Sequence, residues 1–97
     1  MTQTQTDLEM ERYLELTPKS RALSEEGKRY MPGADTRTSV FWGPYPLFMT
    51  RGEGCRVWDV DGVERLDFIN NMTTLMLGHA NPKVVRALQE QAPLGTA

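Results

Sequence analysis

The chain has 97 residues, 39% of them hydrophobic and 25% charged, and a formal net charge of -2 at pH 7. This is the composition of an ordinary soluble protein; acids and bases are interspersed, so no field strong enough to recruit nucleic acid or an anionic membrane is expected. A chain this short buries only about 60–65% of the surface its unfolded form exposes, which makes a self-sufficient core marginal unless something staples it.

The sequence offers no such staple. A single cysteine, Cys55, excludes an internal disulfide, and with one histidine, His79, there is no Cys/His spacing for zinc. A reducing, cytoplasmic setting is the expectation. The N-terminus lacks the basic start and apolar stretch of a signal peptide, and no apolar run approaches the roughly 20 residues that span a bilayer. Asn71-Met72-Thr73 matches a glycosylation sequon, which without a secretion signal reads as coincidence.

Residues 1–17 read as a flexible or weakly helical lead-in, with Leu8, Tyr13, Leu14 and Leu16 at irregular spacing. Residues 18–97 read as the folded segment. Thr17-Pro18 predicts an N-cap oxygen followed by proline at the first helical position, with helix formers continuing to Tyr30 and Leu23, Gly27, Tyr30 and Met31 sharing one face. The helix must stop at Met31, because Pro32 disfavours helical backbone in the residue before it. Gly33 to Pro46 is then an irregular loop rich in aromatics and proline, long enough to suggest a functional loop.

Three short strands are predicted next: Leu47 to Arg51, Arg56 to Asp59 and Glu64 to Asp67. They are separated by Gly52-Glu53-Gly54 and by the hairpin dipeptide Asp61-Gly62, giving a small antiparallel meander. Phe68 to Leu77 reads as a short helical turn entering a buried loop. Asn81 as N-cap and Pro82 as first helical residue then open an amphipathic helix with Val84, Val85 and Leu88 inside. The fold class is α+β, and the apolar stripe of the last helix has no later element to cover it, as in a segment of a larger protein.

Ordered along the chain, Tyr30-Met31-Pro32-Gly33, Arg37, Arg51-Gly52-Glu53-Gly54, Val57-Trp58-Asp59-Val60-Asp61-Gly62 and Leu77-Gly78-His79-Ala80-Asn81-Pro82 carry a resemblance. From about Ser20 to Gln91 the chain resembles the N-terminal segment of class III, fold-type I, pyridoxal-phosphate aminotransferases. Within that class it looks most like the glutamate-1-semialdehyde aminomutases and the beta-phenylalanine-type aminotransferases. Arg37 followed by Phe41, Pro44, Pro46 and Leu47 resembles the substrate loop of the beta-amino-acid branch.

The resemblance implies that Arg37 grips a substrate carboxylate, a role suited to the planar guanidinium fork, and that Ser39 and Met72 line the pocket beside it. Relatives often carry Trp or Tyr where Met72 stands, which leaves substrate preference open. The Schiff-base lysine, the acid beneath the pyridine nitrogen and the phosphate-binding turn all fall beyond the point matching Ala97. No catalytic residue is therefore assigned, and pyridoxal phosphate is expected in the complete enzyme but not on this chain alone. The resemblance also implies an amino acid substrate and a homodimer. The alternative is a non-catalytic interaction module built from an aminotransferase segment.

Other candidates have plainer readings. His79 reads as a turn histidine satisfied by backbone, Cys55 as a small packed strand residue, and Trp42, Trp58 and Tyr45 as core or interface aromatics. Asp59-Val60-Asp61-Gly62 is superficially similar to a calcium loop, but its glycine is misplaced for an EF-hand.

Overall fold

A computed structural model describes residues 3–35 and 41–95. It is a mixed α and β structure whose three strands form an antiparallel sheet of order β1-β2-β3. In chain order the elements are α1 (Gln5–Leu16), α2 (Pro18–Gly27), β1 (Met49–Glu53), β2 (Arg56–Asp59), β3 (Glu64–Leu66), α3 (Asn70–Thr73) and α4 (Pro82–Gln91). Short 3-10 turns occupy Pro32–Ala34 and Ala92–Leu94. By its contacts the chain divides into two compact units: Met1–Thr50 with Trp58–Val63, and Arg51–Val57 with Glu64–Ala97.

In the first unit, α1 begins with a capping box. The Thr4 hydroxyl accepts from Asp7 N, and the Asp7 carboxylate accepts from Thr4 N. The Thr4 side chain is also the main reason the Asp7 carboxyl sits below its ordinary pKa. No residue of α1 is buried.

The start of α2 departs from expectation. Thr17 supplies no side-chain cap; its hydroxyl donates to Tyr13 O at 2.6 Å and lies 3.0 Å from Tyr45 Oη. The helix is capped from a distance instead. The Asp61 carboxylate accepts from Lys19 N at 2.8 Å and Ser20 N at 3.1 Å. Partial desolvation pushes the Asp61 carboxyl up, but the two amides together with the Ser20 side chain and the Lys19 charge outweigh it, and the net shift is downward.

The inner face of α2 also differs. Leu23, Tyr30 and Met31 are exposed, while the small residues Ser20 and Ser24 are buried and Gly27 is half-buried. A Cβ on Gly27 would lie 3.0 Å from the Ala34 Cβ, so close approach of the turn after the helix, rather than an apolar stripe, selects this face. The α-helix ends at Gly27 and tightens into turns, with Arg29 N donating to Glu26 O and Tyr30 N to Gly27 O.

Tyr45 is the buried aromatic of this unit. Its ring packs against Tyr13 at 5.3 Å between centroids, tilted 44°, and its carbonyl accepts from Tyr13 Oη. Trp42, by contrast, is exposed. At the hairpin tip the buried Asp59 carboxylate accepts from Asp61 N and Val63 N. Gly62 alone of the Asp61-Gly62 pair has positive φ, at 87°. The tip is thus an aspartate-stapled turn rather than the two-residue hairpin the dipeptide predicts.

In the second unit, the β1–β2 turn falls at Gly54-Cys55, because β1 runs on through Gly52 to Glu53. Cys55 is consequently exposed in a turn, not packed in a strand. Arg56 pairs with Glu64 across the neighbouring strands. Helix α4 opens as its sequence predicts, with the Asn81 side-chain oxygen accepting from Lys83 N and Val84 N behind Pro82. Val84, Val85 and Leu88 are exposed along it.

Candidate functional site

Of the three residues expected to face substrate, Arg37 and Ser39 lie outside the described residues, and Met72 lies in the second unit. Phe68 to Leu77 is not the buried loop expected. Phe68 and Met76 are about nine-tenths exposed, at 91% and 89%, and Ile69, Met72 and Leu77 are exposed too.

The backbone around Met72 is unusual. Asn70, Asn71, Met72 and Thr73 have φ of 53°, 47°, 59° and 68°, so α3 is a single left-handed turn. Asparagine tolerates this region because its short polar side chain can bond locally, but methionine and the β-branched threonine do not favour it. Each of those two costs roughly 1–2 kcal/mol there. The turn's own bonds are between neutral groups: Thr73 N to Ile69 O at 3.3 Å, Thr74 N and Leu75 N to Asn70 O at 3.1 and 3.3 Å, the Thr74 hydroxyl to Asn71 O at 2.8 Å and the Asn71 side-chain amide to the Thr74 hydroxyl at 3.1 Å.

The stronger bonds come from Asp67. One carboxylate oxygen accepts from Ile69 N and Asn70 N, both at 2.9 Å. The other lies 2.6 Å from His79 Nε2. The amide of Asn70 is the largest reason the Asp67 carboxyl is held below its ordinary pKa, followed by His79. With the carboxylate ionised, Nε2 carries the proton it donates.

His79 is itself fixed. Its backbone makes a reciprocal antiparallel bridge with Gly54, with His79 N to Gly54 O at 2.8 Å and Gly54 N to His79 O at 3.0 Å. Its ring lies so close over Gly52 that a Cβ there would come within 2.5 Å of the ring carbon Cγ. The ring of His79 is thus satisfied by the Asp67 carboxylate and not, as its turn position suggests, by backbone. The one local signal for Asp67 is that an aspartate followed at the third position by asparagine marks a turn.

In the first unit an open cleft of about 390 Å³ lies between α1 and Gly43-Pro44. Its ionisable lining residue is Glu9, beside Met10, Tyr13 and Pro44, so it repels rather than grips a carboxylate. Among the described residues no group of three or more His, Cys, Asp or Glu is placed to hold a metal ion. The aspartates of the calcium-like string already accept backbone amides. No described helix is long and apolar enough to cross a membrane.

Comparison with known proteins bears on the same segment. The family model described as Aminotransferase class-III matches residues 39–96, a stretch that holds Ser39, Met72 and the Asp67–His79 pair. A beta-phenylalanine transaminase of Variovorax paradoxus is 40% identical over 79 residues, covering 81% of this chain and 18% of that protein. The solved structure of a glutamate-1-semialdehyde aminomutase from Pseudomonas aeruginosa PAO1 is 32% identical with a TM-score of 0.82, over 90% of this chain and 20% of that one. A structure described as a transaminase with PLP bound is 49% identical with a TM-score of 0.79, over 84% of this chain and 19% of that one. The chain therefore spans about a fifth of the length of these relatives.

Proposed function

The chain belongs to the class-III aminotransferase family, and on that premise we propose that it is the N-terminal part of a pyridoxal-phosphate-dependent aminotransferase or aminomutase acting on an amino acid. Its own contribution is a wall of the substrate site. Arg37 grips the carboxylate, and Ser39 and Met72 line the space beside it. The observation that carries this reading is the family match over residues 39–96 together with 40–42% identity to a beta-phenylalanine transaminase and to glutamate-1-semialdehyde aminomutases, which makes a β-amino acid one of two candidate substrate classes. The complete enzyme is a cytoplasmic homodimer in this reading, with its remaining polypeptide covering the apolar stripe of α4.

Bound pyridoxal phosphate supplies the amino-group chemistry in such enzymes. The residues of this chain do not fit its covalent attachment. A lysine that forms a Schiff base is kept neutral by an apolar or cationic pocket. Lys19, Lys28 and Lys83 are all exposed, and Lys28 is paired with Glu25 at 2.6 Å. This chain is accordingly inactive alone.

Two measurements test the reading. Borohydride treatment of the chain with pyridoxal phosphate should leave no stoichiometric adduct on any of the three lysines by mass spectrometry; a specific adduct would overturn the inactivity. In the complete polypeptide Arg37→Ala should raise KM for a β-amino acid about 10-fold or more, the equivalent of one charge-assisted hydrogen bond of roughly 1.5–3 kcal/mol. An unchanged KM removes the carboxylate role.

A further inference from the structure

We propose that Asp67 and His79 are positioning residues, a clamp that holds the left-handed turn α3 and so fixes where Met72 is presented. The inference rests on the substrate-facing reading of Met72 for its purpose, but the clamp itself stands on geometry within the second unit.

Four successive non-glycine residues at positive φ do not persist on their own account, because each prefers the right-handed or extended backbone. Something outside the turn must hold them. Asp67 is placed to do so: its carboxylate takes the amides of Ile69 and Asn70 on one oxygen and His79 Nε2 on the other. Its backbone is held as well, with Asp67 N donating to Cys55 O at 2.8 Å.

His79 carries the restraint back to the sheet. The bridge to Gly54 sets its backbone, and the face of Gly52 sets the plane of its ring. The line of support thus runs from the end of β1 through His79 and Asp67 into α3. Glycine at 52 is required because any side chain would displace the imidazole; its backbone is not among those with positive φ, so no other constraint selects it.

The test uses NMR of the full 97-residue chain without ligand. A strong intraresidue HN–Hα contact marks positive φ at residues 70–73, and cross-strand contacts of the sheet report whether the fold survives. Wild type should show both. Asp67→Ala, His79→Ala and Gly52→Ala should each lose the positive-φ signature at Met72 and Thr73 while the sheet contacts remain. Gly52→Ala touches neither the turn nor the carboxylate, so its effect arises by displacing His79, whose Cγ, Nδ1 and Cβ would all lie within 3 Å of the new methyl. His79→Gln, whose amide can still reach the carboxylate, should restore the signature.

The clamp is overturned if wild type lacks positive φ at these residues, if they keep it after Asp67 or His79 is removed, or if every variant unfolds the sheet and His79→Gln does so too. The KM measurement on Arg37→Ala does not depend on any of these outcomes, so the clamp and the substrate reading can fail separately.

Discussion

Replacing Thr17 by valine probes how the first unit is held together. Thr17 is fully buried, and its hydroxyl donates to Tyr13 O at 2.6 Å and lies 3.0 Å from Tyr45 Oη. Valine keeps the shape and the β-branch but removes the oxygen. The part-buried Tyr13 carbonyl and the buried Tyr45 hydroxyl each lose a partner, Tyr45 Oη keeping only a long bond to Thr17 O at 3.4 Å, at a cost of roughly 1–3 kcal/mol. For a chain of this length each kcal/mol lowers Tm by about 4–8 °C, so a drop of about 5–20 °C is expected by circular dichroism. The urea midpoint should fall with the slope unchanged. Thr17→Ser retains the hydroxyl and should cost under about 1 kcal/mol, mainly for a lost methyl. Adding Tyr45→Phe to Thr17→Val should cost less than the sum of the single changes, since the pair shares one interaction. A Thr17→Val chain within about 0.5 kcal/mol of wild type would refute the reasoning, because surface-like tolerance is incompatible with a buried hydroxyl bridge.

Three further outcomes follow from the structure. Gly78→Ala should destabilise by about 2 kcal/mol or more in urea unfolding, since Gly78 has φ of 75° and a Cβ there would meet Gly54 O at 2.8 Å. Asn81→Ala should cost about 1 kcal/mol and speed amide exchange at Lys83 and Val84, whose N–H groups its side chain accepts. In acid, Asp7, Asp61 and Asp67 act together: their folded pKa values are depressed, so their stabilisation is complete above the ordinary aspartate value of about 3.9 and is lost as pH falls through the lower folded values. Asp61→Asn should flatten that acid limb in a pH series of urea midpoints, and an unaltered limb would remove Asp61 from the account.

Sequence features that act locally were legible. Glycine and proline punctuation placed all three strands to within about two residues, and Asn81-Pro82 marked the start of α4, because turn and cap chemistry is decided by neighbours in the chain. Features decided across long separations were not. The cap of α2 comes from Asp61, 41 residues beyond Ser20, while the hydroxyl predicted to cap it is turned to Tyr13 and Tyr45. Reading α2 for large apolar residues also named the wrong face, since Ser20, Ser24 and Gly27 are chosen for closeness of approach rather than hydrophobicity. At the candidate site, Met72 was named through resemblance alone. Its left-handed backbone could not be read from Met72-Thr73, which disfavour it; only Asn70-Asn71 carry any local hint.

The aspartates explain why such a turn can exist here. Asp7, Asp59, Asp61 and Asp67 all spend their carboxylates on backbone amides. Three of them serve regular elements: a helix start, a hairpin tip and a remote helix cap. Asp67 alone supports a conformation the chain disfavours. Two charge-assisted bonds of roughly 1.5–3 kcal/mol each offset a strain of roughly 2–4 kcal/mol at Met72 and Thr73, and the His79 bond tips the balance. Remove the histidine and the carboxylate is no longer held against the turn, so the positive φ at Met72 and Thr73 should be lost. The strained backbone coincides with the residue that resemblance places beside substrate, which is where a fold has reason to hold a side chain against its own preference.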